Sequence, residues 1–221
     1  MKKTTIILFL ILLLSGYFFN LKAQVIKGAL IAGFNMTQVD GDEVYGFKKI
    51  GFNVGAAAII PVKKKWSISL ETIFSQKGAY QRPQYNDTLY TGEYNLRLNY
   101  VEVPVLVHFT EKNLFSVGTG FSWGRLVKSK EIEHGGIQPP YSDSVAFNRN
   151  DFNWLIDIRF RVWKKLKFNI RYAYSLAKIR TREFYSLAGT SWTRKQYNNV
   201  LTFRLIYVFN EQVEYVKKKN K

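Results

Sequence analysis

The amino-acid sequence predicts an all-β chain: an eight-stranded antiparallel up-and-down transmembrane β-barrel preceded by a cleavable signal peptide. Three observations predict it. Eight segments alternate apolar and polar residues with period two. The connections between those segments alternate short and long. The first two dozen residues carry an export signal rather than a folding pattern.

At the N-terminus, Lys2 and Lys3 precede an unbroken apolar run from Ile6 to Leu14. Ser15 and Gly16 follow, then a segment ending Leu21-Lys22-Ala23-Gln24. A basic head, a short apolar core and a small residue before the cut are the parts of a signal peptide, with cleavage expected after Ala23. The alternative is an uncleaved anchor, but the run is short for crossing about 30 Å of hydrocarbon. The expected organisation is therefore a signal peptide at 1–23, a barrel at 24–210 and a basic tail at 211–221, the last carrying Lys217, Lys218, Lys219 and Lys221.

The strand pattern is clearest where Phe152, Trp154, Ile156, Ile158, Phe160 and Val162 alternate with Asp151, Asn153, Leu155, Asp157, Arg159 and Arg161. Applied along the chain, the same test places strands near Ile26–Met36, Gly51–Ile60, Trp66–Lys77, Leu96–Phe109, Leu114–Lys128, Asp151–Trp163, Leu166–Leu176 and Gln196–Phe209. Most are long enough to cross a bilayer at a tilt. Between them lie three short turns, Pro61–Lys65, Thr110–Asn113 and Lys164–Lys165. Four long connections alternate with these: Thr37–Ile50, Gly78–Asn95, Ser129–Asn150 and Ala177–Lys195. In an up-and-down barrel all the turns then fall at one end and all the loops at the other, as in outer-membrane barrels with periplasmic termini.

Alternation alone leaves open whether the apolar face meets lipid or a core. A soluble, lipocalin-like barrel would turn it inward. The lumen of eight strands is too narrow for rings as numerous as Trp66, Phe74, Phe121, Trp123, Trp154, Phe168 and Phe203. The opposite face pairs small residues such as Ser116, Gly118 and Gly120 with long charged ones. Lipid-facing rings are therefore expected, with an aromatic girdle of Trp66, Phe109, Phe115, Trp163 and Phe209 on the turn side and Trp123, Phe152 and Tyr174 on the loop side.

The charges Glu71, Lys77, Glu102, Asp157, Arg159, Arg161, Lys167, Arg171 and Arg204 are then expected inside the lumen. A lone buried charge is prohibitive, so they should pair across it, Glu102 with an arginine. The network reads either as a plug or as the lining of a narrow conduction path.

Composition narrows the function further. A chain without cysteine has no disulfide framework, thiolate metal site, catalytic thiol or lipidated cysteine. The net charge of +17 is dispersed over turns, loops, one strand face and the tail. It forms no basic helical stripe, which points to an anionic membrane surface rather than nucleic acid. A lipid hydrolase would need a serine beside a histidine. His108 is expected to point inward and His134 lies in a loop, so no enzyme and no cofactor is expected. Asp40-Gly41-Asp42-Glu43 could ligate calcium but lacks the rest of an EF-hand. Asn86-Asp87-Thr88 matches a glycosylation acceptor in spelling alone. The glycines of the Gly118–Gly124 segment are read as interior packing positions.

Several stretches together resemble the PorT-like outer-membrane β-barrel domain family of the Bacteroidetes. They are Lys27-Gly28-Ala29-Leu30-Ile31-Ala32-Gly33-Phe34-Asn35, Gly51-Phe52-Asn53-Val54-Gly55, Ser75-Gln76-Lys77-Gly78-Ala79, Asn99-Tyr100-Val101-Glu102-Val103-Pro104, and the closing strand from Arg204 to Phe209. The resemblance implies an integral outer-membrane barrel without cofactor or catalytic residues. It also suggests an accessory role in type IX protein secretion, the namesake's association. One departure is that the chain runs past Phe209 to Lys221, whereas such barrels commonly end on an aromatic residue. Expected partners are outer-membrane lipid and lipopolysaccharide, met by Arg125, Arg180, Arg182 and Arg194, and proteins of the envelope or secretion machinery. A narrow channel and a soluble ligand-binding barrel remain the alternatives.

Overall fold

The computed structural model describes residues 26–82, 84–86, 89–91, 93–133, 136–137, 146–185 and 190–211. The expected signal peptide, His134, Asp87, Thr88 and the lysines of the tail lie outside them.

Eight long strands form the wall: β1 Lys27–Asp40, β2 Lys49–Pro61, β3 Trp66–Gln81, β4 Tyr94–Glu111, β5 Phe115–Glu133, β6 Asn150–Trp163, β7 Leu166–Ser175 and β8 Ser191–Val208. Each pairs antiparallel with its neighbour in the chain, and β8 returns to β1 from Ala29↔Val208 to Asp40↔Tyr197. The sheet therefore closes on itself as an eight-stranded up-and-down barrel.

At the short-turn end the hairpins are tight. Lys112 and Asn113 both adopt positive φ, and Lys164 does so between β6 and β7. Such turns match the twist of the strands they join. At the other end the strands overrun the expected boundaries. β5 continues to Glu133 and β8 begins at Ser191, and an added strand, Arg180–Tyr185, pairs with β8 from Ser191 to Gln196. Smaller strands, Gln84–Asn86 with Leu89–Thr91 and Gly136–Ile137 against β5, extend two more hairpins.

Burial is inverted relative to a soluble barrel. Phe52, Trp66, Leu70, Val105, Val107, Phe121, Phe160 and Leu205 are exposed on the outside. Asn35, Asn53, Ser69, Glu71, Lys77, Asp157, Asn169, Arg171 and Arg204 are buried within. On β5 a Cβ at Gly120 would run into the Val105 carbonyl oxygen of the neighbouring strand, and one at Gly118 into the His108 ring. Small residues on one wall let long ones cross from the other.

Candidate functional site

Strand β6 orders the lumen, since it descends from the loop end to the turn end through Asp151, Leu155, Asp157, Arg159 and Arg161. Each marks a level at which side chains from several strands meet.

The central level is a cluster of three guanidiniums on two carboxylates. Glu71 of β3 accepts hydrogen bonds from Arg159 and, through both oxygens, from Arg171, each at 2.9 Å, and from Arg204 at 3.1 Å. Asp157 accepts from Nε of Arg159 and of Arg171 at 2.8 Å and from Arg204 at 3.3 Å. The forked geometry of arginine suits this sharing, which lysine could not reproduce. Both carboxylates are wholly buried and the three guanidiniums already exceed them by one charge, so losing either carboxylate would leave two buried positive charges unmatched.

Above it Leu106, Leu155, Ala173 and Val200 form an apolar layer. Next comes Lys77, which pairs with Glu102 at 2.6 Å and with Asp151 at 3.0 Å, and also donates to Asn153 at 3.2 Å. Glu102 thus pairs with a lysine rather than the arginine expected from the sequence. All the lumenal arginines at mid-depth belong to Glu71 and Asp157, one level lower. Asp151 was missed as a partner; Ser175 and Asn198 donate to it at 2.7 and 2.9 Å.

Arg161 and Lys167 sit at the turn-end mouth, away from the central cluster. They share Glu211, at 3.0 and 2.9 Å, with Lys27 at 3.5 Å. Glu211 lies one residue past the expected end of the barrel, yet it is buried beneath it. Burial opposes its ionisation, but Lys167 and Arg161 hold its carboxyl below the usual range. The Glu211 side chain therefore reaches into the opening, between Lys27, Arg161 and Lys167.

The loop end is closed differently. Val39, Val44, Ala79, Tyr94, Leu96, Leu98, Tyr100 and Ile179 form an apolar cap. Arg180 is buried in it, donating to both oxygens of Glu131 at 2.6 and 2.9 Å while lying 4.1 Å from the Phe147 ring. Arg182 is half-buried against Glu131 and Glu133, and Arg194 lies 3.8 Å from Glu43. Of the four basic residues expected to reach solvent or lipid, Arg180 is withdrawn and Arg182 neutralised. Arg125 remains outward, with Asn150 at 3.0 Å.

His108 points inward and meets side chains from two other strands. Its Nε2 lies 2.9 Å from Asp157 and its Nδ1 3.3 Å from the Ser69 hydroxyl. This has the composition of a hydrolytic triad, but Ser69 is fully buried, 3.4 Å from Arg159, with no room for an acyl group. The carboxylates of the first loop diverge: Asp40 bonds Gln38 and Asn199, Asp42 bonds the Val44 amide, and Glu43 accepts from Trp192. Among the described residues no group of His, Asp and Glu converges as metal ligands.

The expected girdle residues Trp66, Phe109, Phe115, Trp123, Phe152, Trp163 and Phe209 are exposed on the outer wall. Tyr174 is half-buried, stacked on Tyr197 at 6.2 Å. Trp66 meets Phe109 edge-on at 5.2 Å, and Phe115 meets Phe160 at 5.1 Å.

Solved structures of similar shape are small outer-membrane proteins. Ail of Yersinia pestis matches with 14% identity over 83% of this chain and 99% of its own, with a TM-score of 0.48. Neisserial surface protein A matches with 10% identity over 82% and 97%, with a TM-score of 0.47. OprG of Pseudomonas aeruginosa matches with 10% identity over 85% and 98%, with a TM-score of 0.44. No curated protein matches the sequence significantly. The profile of the outer membrane protein beta-barrel domain matches residues 28–180. An inside-out, eight-stranded barrel with a charged and buried lumen accords with that match, and the chain belongs to the outer membrane protein beta-barrel domain family.

Proposed function

We propose that this protein is a closed, non-enzymatic outer-membrane barrel that acts through its surfaces, with the short turns and both termini in the periplasm and the hairpin loops outside the cell. The observation that carries the reading is the succession of paired charged side chains across the lumen. The Arg180 cap, the Lys77 level, the Glu71–Asp157 cluster and the Glu211 latch lie one below another. An ion crossing this stack would have to displace arginines already held by two carboxylates each. Its partners on this reading are the anionic lipids of the outer membrane and proteins of the envelope. The sealed position of Ser69 supports the absence of hydrolytic chemistry.

Planar-bilayer recording of the refolded wild-type protein tests the reading. A flat trace is expected, and discrete conductance steps would replace the plug by a channel. The resemblance to PorT-like barrels supports a more specific role in protein export. Deleting the gene and assaying secreted cargo tests it; normal secretion would set that role aside.

A further inference from the structure

The outer wall carries a group of cations whose arrangement a β-bulge produces. From Phe115 to Arg125 the odd residues of β5 point outward, Phe121 and Trp123 among them. A register shift opposite Asn99 and Tyr100 then inserts one residue, so that Tyr100 pairs with Leu126 but Asn99 with Lys128. Such a bulge reverses the phase of every side chain beyond it. Lys128 and Lys130 turn outward, while Ser129, Glu131 and Glu133 turn toward the interior, where Arg180 and Arg182 neutralise the two glutamates.

The result is sorting by charge across one sheet. Arg97, outward on β4, lies directly opposite Lys130, with Lys128 and Arg125 on successive outward positions toward the girdle residue Trp123. Among the described residues no carboxylate lies within ion-pair distance of these four cations. Like charges placed opposite each other on neighbouring strands destabilise a sheet. The wall therefore carries a repulsion that an external anion would relieve, immediately above the lipid-facing aromatic level.

We infer that this face of the β4–β5 hairpin, Arg97, Arg125, Lys128 and Lys130, binds the phosphate groups of lipopolysaccharide in the outer leaflet. The site rests on the orientation given under the proposed function. The four cations lie on the loop side of Trp123, the side that faces the sugars and phosphates of the outer leaflet in that orientation, and arginine forks with lysine point charges are the side chains that recognise phosphate. The bulge is then a device that exposes a cationic face while keeping its countercharges for the cap.

The test uses the full-length barrel refolded in detergent, with purified lipopolysaccharide as the probe and the same material stripped of phosphate as control. R97A/K130A should bind at least tenfold more weakly than wild type. The turn-end variant K63A/K64A, which removes the same charge elsewhere, should bind as wild type does. In lipopolysaccharide-free detergent R97A/K130A should unfold at a higher temperature than wild type, because the facing repulsion is gone. Lipopolysaccharide should raise the midpoint of wild type but not of the variant. Undiminished binding by R97A/K130A, equal loss in both variants, or equal binding of stripped lipopolysaccharide would overturn the site. Orientation is read separately, by labelling K128C on intact cells with a membrane-impermeant maleimide. A thiol that stays unlabelled would sink the orientation and the site with it, whatever the detergent measurements give.

Discussion

The inner and outer faces of the same strands solve opposite problems. Outside, Leu70, Val105 and Phe121 present interchangeable apolar surface to hydrocarbon. Inside, Glu71 and Asp157 are each held by the same three arginines, and every member depends on the others. One wall is thus stabilised by its solvent and the other by specific pairing. Substitutions should be tolerated outside according to polarity and inside according to connectivity.

The largest effect should come from breaking that connectivity. Glu71→Ala leaves Arg159, Arg171 and Arg204 sharing one carboxylate, and losing one partner of a buried ion pair costs about 3–5 kcal/mol. The midpoint of urea unfolding, followed by the heat-modifiable gel shift, should fall accordingly. An unchanged midpoint would mean that the arginines are stabilised by solvation rather than by Glu71.

A smaller loss should follow from polarity alone on the outer wall. Val105 faces outward half-way along the lipid-facing part of β4, while the adjacent Leu106 is packed inside. Val105→Arg should cost about 2–4 kcal/mol in lipid vesicles, as arginine does near the bilayer midplane. In a denaturant series the same substitution should cost far less in a detergent that admits water to the wall. Equal losses in both media would deny that Val105 meets hydrocarbon.

The smallest effect belongs to the loop cap, where opening is local. Asp42 is buried, with one oxygen accepting the Val44 amide at 2.8 Å and the other without a hydrogen-bond partner. Burial pushes its carboxyl up to about 7. A carboxyl raised on docking contributes stability in its protonated form, fully present below the unfolded value of 3.8 and lost as the pH climbs through 7. Hydrogen exchange at Val44, corrected for intrinsic base catalysis, should therefore quicken between pH 5 and pH 8 by this local opening. Asp42→Asn, which keeps the acceptor and removes the charge, should flatten that dependence; a profile identical to wild type would place the titration elsewhere.

The same contrast explains what the sequence disclosed. Lipid imposes a period-two pattern on residues such as Phe152 to Val162, and three short turns alternating with four long loops determine the topology, so the barrel was legible. Which lumenal charges meet was not. Glu71 and Arg204 are 133 positions apart, and their meeting depends on strand tilt and shear rather than on local pattern. The pairing of Glu102 with Lys77 and the withdrawal of Arg180 were hidden for the same reason. The bulge in β5 left a trace, since the alternation that runs to Arg125 breaks at Leu126-Val127, two apolar residues in succession. Reading that break as a phase reversal would have turned Lys128 and Lys130 outward.

The central claim is that the polar face lines the lumen and the apolar face meets lipid. Because the chain has no cysteine, single cysteines can be placed at each position from Val101 to Phe109 on β4 and spin-labelled in vesicles. Collisions with oxygen, which dissolves in hydrocarbon, should peak at Val101, Val103, Val105, Val107 and Phe109. They should fall at Glu102, Pro104, Leu106 and His108. Oxygen access at the even positions, with a water-soluble relaxation agent reaching the odd ones, would contradict the account.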